Sequence, residues 1–419
     1  MQSTIKRAVG AVASVSALTG LCLVSGPASS AAVSVAQAER GTLTRFGFDA
    51  TAYGSKADGV SGTESDPTAV SHLPCTSYVP RERENHVANS DRGGIQTNNV
   101  DTRNFTRQRD GVTSATSIAT VQGGSMAGGA VRFTDLKARN VSFHKVGDGF
   151  RVKQFSSVGS LSVNGIAVPV PDNGRTTEVA VPGQGTLILN DKSRQVTAKR
   201  AFGVVNALKF VETNGRVQRT AHAQSNIDRL VESGVFQGGA WGSQSVVANT
   251  ATSRRGAYQP MPCRGTFGET LETSTGESTE AGGTLGARRS YAYGIQRDSG
   301  YTDGFTRSVV DTANFGVLEL RNIRGRANVT RQADGDLRRN ARGTGVGEIL
   351  IAGEAQPQPP AGEAQQFPGG EYTIRVVRTV PSGIHAEGAL VRLFNGTRND
   401  RTDDTVVHLA VAKLALPRG

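Results

Sequence analysis

The sequence predicts an all-β chain folded as two tandem β-sandwich-like domains that arose by internal duplication. Three features carry this expectation: a motif that returns at constant spacing, strand–turn–strand patterns in each copy, and helical periodicity confined to one short segment. A β-helix is the alternative for so many short strands, but it needs a short repeat period, and none is present.

The duplication shows in two short motifs and the distance between them. Thr51-Ala52-Tyr53-Gly54-Ser55 returns as Gly239-Ala240-Trp241-Gly242-Ser243, and Leu73-Pro74-Cys75-Thr76 returns as Met261-Pro262-Cys263-Arg264. Tyr53 precedes Cys75 by 22 residues and Trp241 precedes Cys263 by 22. One short match arises by chance; two at a single spacing hardly do. Downstream, Leu136 and Ile323 lie 61 and 60 residues after their cysteines, and Asn214-Gly215 and Asn395-Gly396 follow at 139 and 132. These intervals place a first β domain at 39–224, a connector at 225–232 and a second β domain at 233–419.

Strand signals fill both copies. Val131, Phe133, Val141 and Phe143 alternate near the two ends of one segment, as in a half-buried strand or strand pair. Residues 161–163 and 166–168 flank Asn164-Gly165, a pair suited to a type I′ turn because both central positions need positive φ. Residues 177–181, 182–185 and 186–190 read as strand, turn and strand. Residues 202–211 and 217–223 close the first copy as a longer hairpin, and 348–352, 372–380, 389–394 and 406–414 are the strands of the second. At 224–235, Ile227, Leu230 and Val231 stand at helical spacing behind Ser225 or Asn226 as a cap, which predicts a short connecting helix. The polar or Gly/Pro-rich stretches 81–104, 265–287 and 355–370 read as surface loops.

Lys6 and Arg7 precede an apolar stretch at 11–24 that is too short to stay in a bilayer, and small residues follow. This reads as an export signal over 1–38, with cleavage after Ala31 or Ala38. Cys22 follows the bulky Leu21, which does not suit lipoprotein processing, so it is expected to leave with the signal. No stable membrane span is expected, and residues 414–419 lack the threonine of a sortase motif. The formal charge of +11 falls to +9 once Lys6 and Arg7 are removed. Such a surface suits acidic wall polymers, anionic lipid headgroups or nucleic acid. The excess is mostly arginine and also fits the codon habit of a high-GC genome. Because the basic residues are scattered with few aromatics between them, no nucleic-acid partner is expected.

No catalytic residue, metal site or cofactor emerges. The six histidines form no closely spaced pair, and neither Cys75 nor Cys263 has a neighbouring cysteine. No nucleophile elbow stands at a strand-to-helix transition, and nothing singles out a pair among the strand-associated carboxylates Asp49, Glu178, Asp191, Glu319, Glu348 and Glu371. Cys75 and Cys263 are either small core residues at equivalent positions, a disulfide across the domain interface, or exposed or metal-linked thiols. Tyr53 and Trp241 suit either ligand stacking or the filling of a sandwich edge, where the following glycine supplies a bulge or close approach.

At Leu73-Pro74-Cys75-Thr76, Leu161-Ser162-Val163-Asn164-Gly165, 182–190 and Val205-Asn206-Ala207-Leu208, the chain resembles the choice-of-anchor P family of secreted actinobacterial proteins. The resemblance covers most of the first copy. It implies a β-rich exported protein at or outside the cell surface and supplies no catalytic residue. The expected function is that of a noncatalytic secreted structural or adhesive protein of the bacterial envelope, with a cell-wall or anionic envelope polymer, or protein partners, as what it binds. The alternative is a carbohydrate-binding module or a carbohydrate-active enzyme.

Overall fold

Small apolar residues at every second position of the long strands build the architecture. In the first strand Phe48, Ala50 and Ala52 are fully buried, while the residues between them turn to the other side of the sheet. The computed structural model describes residues 41–58, 63–65, 67–171, 174–229, 234–248, 251–253, 255–280, 282–395 and 402–417; the expected export signal lies outside them. Among the described residues the one helical element is a 3-10 turn at Ala127–Gly129, and no helix is long and apolar enough to cross a membrane.

The chain opens with β1 (Thr42–Asp58), β2 (Thr63–Glu64), β3 (Ser71–Val79), β4 (Arg81–Arg92) and β5 (Ile95–Arg109). Next come β6 (Val112–Met126), β7 (Val131–Lys145), β8 (Gly149–Ser157), β9 (Ser160–Val163) and β10 (Ile166–Ala167). The first half ends with β11 (Thr177–Val181), β12 (Gly185–Thr197), β13 (Arg200–Glu212) and β14 (Val217–Arg229). The second half begins with β15 (Gln237–Val247), β16 (Ala251–Ser253), β17 (Gln259–Pro260), β18 (Thr270–Thr275), β19 (Ser278–Glu280) and β20 (Gly283–Leu285). It continues through β21 (Arg288–Gln296), β22 (Thr302–Phe315), β23 (Leu318–Arg331), β24 (Leu337–Asn340) and β25 (Glu348–Ile351). Its last strands are β26 (Glu354–Ala355), β27 (Ala364–Phe367), β28 (Gly370–Val380), β29 (Gly383–Leu393) and β30 (Thr405–Ala415).

Among the described residues the strands form three open antiparallel sheets, and the two halves use one strand order. Within a 14-stranded sheet, β11-β12-β13-β14-β1 is matched by β27-β28-β29-β30-β15. The facing sheets match too: β10-β9-β7-β6-β5-β4 against β26-β25-β23-β22-β21-β18. Face-to-face packing keeps the correspondence, with β14 on β6 and β7 in one half and β30 on β22 and β23 in the other. Each half is thus a sandwich with its own core. Leu187, Leu208 and Phe210 meet Phe133 and Leu136 in the first; Ile374, Val391 and Leu409 meet Leu320 and Ile323 in the second. The short strands β2 and β16 pair and join the two large blocks into one sheet.

A row of residues with positive φ, at which the strand pairing is interrupted without a change of register, crosses both halves at corresponding places. Ala221 of β14 and Ala410 of β30 each have φ 50°, Asn190 and Arg375 have 55° and 51°, and Asp135 and Asn322 both have 52°. The register is kept across these points: Tyr53↔His222 and Ser55↔Thr220 flank Ala221, and Trp241↔Val411 and Ser243↔Leu409 flank Ala410. The strand beside Ala221 carries Gly54, and the strand beside Ala410 carries Gly242. A Cβ on Gly54 would lie 2.2 Å from Val100 Cγ1, and one on Gly242 would lie 2.6 Å from Arg288 Cβ. The repeated Tyr-Gly and Trp-Gly pairs therefore mark points of close approach of the facing sheets.

Turn chemistry follows the sequence at Asn164-Gly165, where φ values of 51° and 80° close the β9–β10 hairpin. Several expectations are corrected. The stretches 265–287 and 355–370, expected as loops, hold β18, β19 and β20 in the first and β27 in the second. The proposed helix at 224–235 is a strand through Arg229, and 230–233 lie outside the described residues. Ile227 enters the core while Asn226 and Asp228 point the other way, a period of two that the helical spacing concealed. The stretch 81–104 is the β4–β5 hairpin rather than a loop, turning at Gly93 and Gly94 with φ 60° and 73°. Its inward positions include Thr102 and Asn104, which donate to Ala69 O at 2.6 Å and Ser71 O at 2.8 Å, so the strand is stable with few apolar residues.

A disulfide joins Cys75 on β3 to Cys263, with Cα atoms 5.4 Å apart and a sequence separation of 188. It ties the first half to the segment following β17 in the second, beside the buried Val235.

Replacing both Cys75 and Cys263 by alanine is expected to lower stability by about 2–5 kcal/mol, because closing so long a loop removes much entropy from the unfolded chain. Urea unfolding of the two proteins measures it, and equal midpoints would contradict the assignment. Gly54→Ala is expected to cost about 1–3 kcal/mol through overpacking against Val100. Val100→Ala in the same chain should recover part of that loss, whereas strictly additive losses in the double-mutant cycle would show that the contact is not the cause.

Candidate functional site

The outward face of β6, β7 and β8 carries an unbroken field of positive charge. Between Lys137 and Lys145, β7 presents Lys137, Arg139, Val141, Phe143 and Lys145 at alternate positions, and β8 adds Arg151, Lys153 and Phe155. Cross-strand pairing sets Arg139 beside Phe155, Val141 beside Lys153 and Phe143 beside Arg151, with Ile118, Thr116 and Ser114 of β6 completing the rows. Spacings of about 7 Å along a strand and about 5 Å between strands follow from sheet geometry. The Lys153 ammonium lies 5.6 Å from the Phe143 ring centre, and Phe155 is 51% exposed. No carboxylate stands among these outward positions. Asp148, in the β7–β8 turn, pairs with Lys145 at 2.7 Å. Farther across the sheet Arg103 and Arg107 flank Phe105 at 5.2 and 4.8 Å, and Glu82 on the edge strand β4 pairs with Arg103. A shallow groove of about 730 Å³ runs over this face between Val112 and Phe155.

The corresponding face of the second half brings two of its aromatic rings into a stack. Tyr293 and Phe305 stack with centres 5.3 Å apart at 16°, Arg307 lies 4.3 Å from the Tyr291 ring, and Arg326 lies 4.5 Å from that of Phe305. Pairing places Tyr291, Arg307 and Arg326 in one row and Tyr293, Phe305 and Asn328 in the next. Equivalent sheets of both halves thus turn arginine and aromatic groups outward, a combination that attracts anions while covering apolar surface.

A second concave feature lies at the seam of the two halves, on the outward face of β1, β13 and β14. Asn226 Nδ2 donates to Asp49 Oδ2 at 2.9 Å and to Asp228 Oδ2 at 2.7 Å, and Arg200 Nε donates to Asn226 Oδ1 at 2.8 Å. Burial, with the nearby Asp228 charge adding to it, pushes Asp49 up to about 6, against the hydrogen bond from Asn226 and the Arg200 charge. Burial also raises Asp228, against the Arg200 charge. Asp49, Cys75 and Cys263 come close enough to suggest a metal site, but both sulfurs are consumed in the disulfide and offer no thiolate.

The rings considered for ligand stacking have no open face. Tyr53 is 8% exposed and stacks on His222 at 4.2 Å and 8°; Trp241 is 4% exposed, with Arg255 at 4.4 Å and Lys413 at 5.1 Å from its ring. Both stand beside the glycines at which the sheets approach and serve the fold. Burial, together with the Arg219 and Lys56 charges, pushes His222 down to about 3, so the imidazole under Tyr53 is neutral. Of the histidines, His385 and His408 lie 2.9 Å from the two oxygens of Glu387; against burial, they hold that carboxyl down to about 2.

The cationic face was missed because the charges look scattered along the chain. The signal was nevertheless present: Lys137-x-Arg139 and Arg151-x-Lys153 stand at strand periodicity, on the face opposite the apolar residues that identify the strand.

No protein-family model matches the chain, and no curated protein matches it. Among solved structures, the crystal structure of Pseudomonas aeruginosa OccK7 (OpdD) aligns with 88% of this chain and 97% of its own at 10% identity, with a TM-score of 0.11. A superposition at that score demonstrates no common architecture and carries no argument here.

Proposed function

We propose that the chain is a noncatalytic exported module that holds an anionic polymer of the bacterial envelope against the outward faces of its two equivalent sheets. The observation that carries this reading is the β6–β8 face, where five cations stand among apolar side chains and only Lys145 is paired with a carboxylate, that of Asp148 in the adjoining turn. Exposed lysines and arginines attract phosphate or carboxylate groups over a Debye length, and a flat sheet suits an extended chain better than a compact ligand. The export signal read over 1–38 and the resemblance to secreted actinobacterial choice-of-anchor P proteins support a location outside the cell or loosely on its surface.

The enzyme alternative finds little support in the most suggestive carboxylate pair. Asp49 and Asp228 are hydrogen-bonded to the same Asn226 amide, which stands where a scissile glycosidic bond would have to lie.

The purified mature protein should cosediment with isolated actinobacterial cell wall, and the bound fraction should fall steeply as salt is raised. At about 1 kcal/mol for each cation near an anionic surface, Lys137→Gln, Arg139→Gln and Lys153→Gln together should weaken binding about 100-fold at low salt. No sedimentation at low salt, or equal binding by the triple variant, would remove this reading.

A further inference from the structure

The seam pocket lies on the side of the first sandwich opposite the cationic face and has a volume of about 630 Å³. That is within the range of small-ligand sites, roughly 300–1,000 Å³. Its floor carries Asp49, Gln224, Asn226 and Arg200, and its far wall is the 258–263 segment that the disulfide ties to β3. Phe202 and Tyr258 supply apolar walls, and Tyr258 remains 38% exposed. The Gln224 amide, on the floor, has no hydrogen-bond partner among the described residues.

We propose that this pocket binds a neutral sugar unit of a glycan. A sugar hydroxyl both donates and accepts, and the floor offers both functions at close quarters: carboxylate oxygens on Asp49 and Asp228, and amide or guanidinium donors on Gln224 and Arg200. The C–H faces of a sugar ring match Tyr258 and Phe202. Fixed charge argues against an anion, which would meet two carboxylates and a single guanidinium, that of Arg200, 3.6 Å from Asp228. The raised Asp49 carboxyl reduces negative charge in mildly acidic medium. The site is independent of polymer binding on the other sheet, and hydrogen bonds to an uncharged ligand are nearly indifferent to salt.

The chain has a single tryptophan, and Trp241 lies edge-on to Tyr258 with ring centres 6.3 Å apart, so its emission reports on the pocket. Chitotriose, cellotriose and maltotriose would be titrated into the full mature protein in about 1 M NaCl, where the screening length is about 3 Å. Emission and calorimetric heat would be followed together. At least one trisaccharide should bind saturably, Gln224→Ala should weaken it about 10-fold, as expected for one lost hydrogen bond, and the Lys137, Arg139, Lys153 triple variant should bind it as the parent does. Absence of calorimetric binding by all three sugars overturns the proposal. So does binding left unchanged by both Gln224→Ala and Asp49→Asn. Loss of wall sedimentation with sugar binding intact would count against the cationic face alone.

Discussion

The close approach of the two sheets at Gly54 and Gly242 constrains everything around it. With Val100 or Arg288 pressed against the glycine Cα, the adjoining inward positions are restricted to small residues such as Ala52, Ala223 and Ala240. Large side chains that do not fit between the sheets at these points stand on the outward faces: Tyr53 and Trp241, covered by their neighbours, and Phe105, Phe143, Phe155, Tyr291, Tyr293 and Phe305 on the opposite sheets, Phe155 the most exposed of them. A narrow interior thus places aromatic surface where it meets solvent or a partner. Cations cover part of that surface, since a guanidinium or ammonium over a ring gains electrostatically and still remains hydrated.

The two halves meet these constraints differently. Val100 contributes an apolar contact in the first, whereas Arg288 occupies the corresponding place in the second. The Arg288 guanidinium is buried, donating to Glu280 at 2.6 Å, Ser243 at 2.9 Å and the Gly276 carbonyl at 3.0 Å. An ion pair so enclosed is tolerated because hydrogen bonds accompany the charge, and removing either partner would leave the other stranded. The same divergence appears outside. The first half shows lysine and arginine rows around separate rings, and the second shows a stacked pair of rings with arginines beside them. A common scaffold therefore presents two surfaces of different chemistry, one weighted toward charge and the other toward stacking.

Strand content, the duplication and individual turns were legible in the sequence because each is local or periodic. Tyr53-Gly54 and Trp241-Gly242 stood out, but their meaning depends on Val100 and Arg288, which are distant in the chain and share no motif with them. The 224–235 segment misled because Ile227, Leu230 and Val231 satisfy helical spacing, while pairing with β1 and β13 imposes a period of two through Arg229. The 81–104 stretch misled for the opposite reason: hydrogen bonds from Thr102 and Asn104 replace the apolar residues that normally reveal a strand's inner face. The two cysteines left several readings open, since sequence spacing says nothing about a Cα separation.

The seam is where local reasoning had least to work with. Asp49, Asn226 and Arg200 come from three strands, and their proximity follows only from the antiparallel order β13-β14-β1. The second half then covers them with a segment held by Cys263. Neither half alone encloses the pocket, because the floor belongs to one repeat and the far wall to the other. Duplication supplied two similar sandwiches, but joining them created a polar cavity with no counterpart inside either. The disulfide has its structural effect at this point: it fixes the wall against β3, so the volume and the orientation of Tyr258 are set by a covalent link rather than by the weak pairing of β2 with β16.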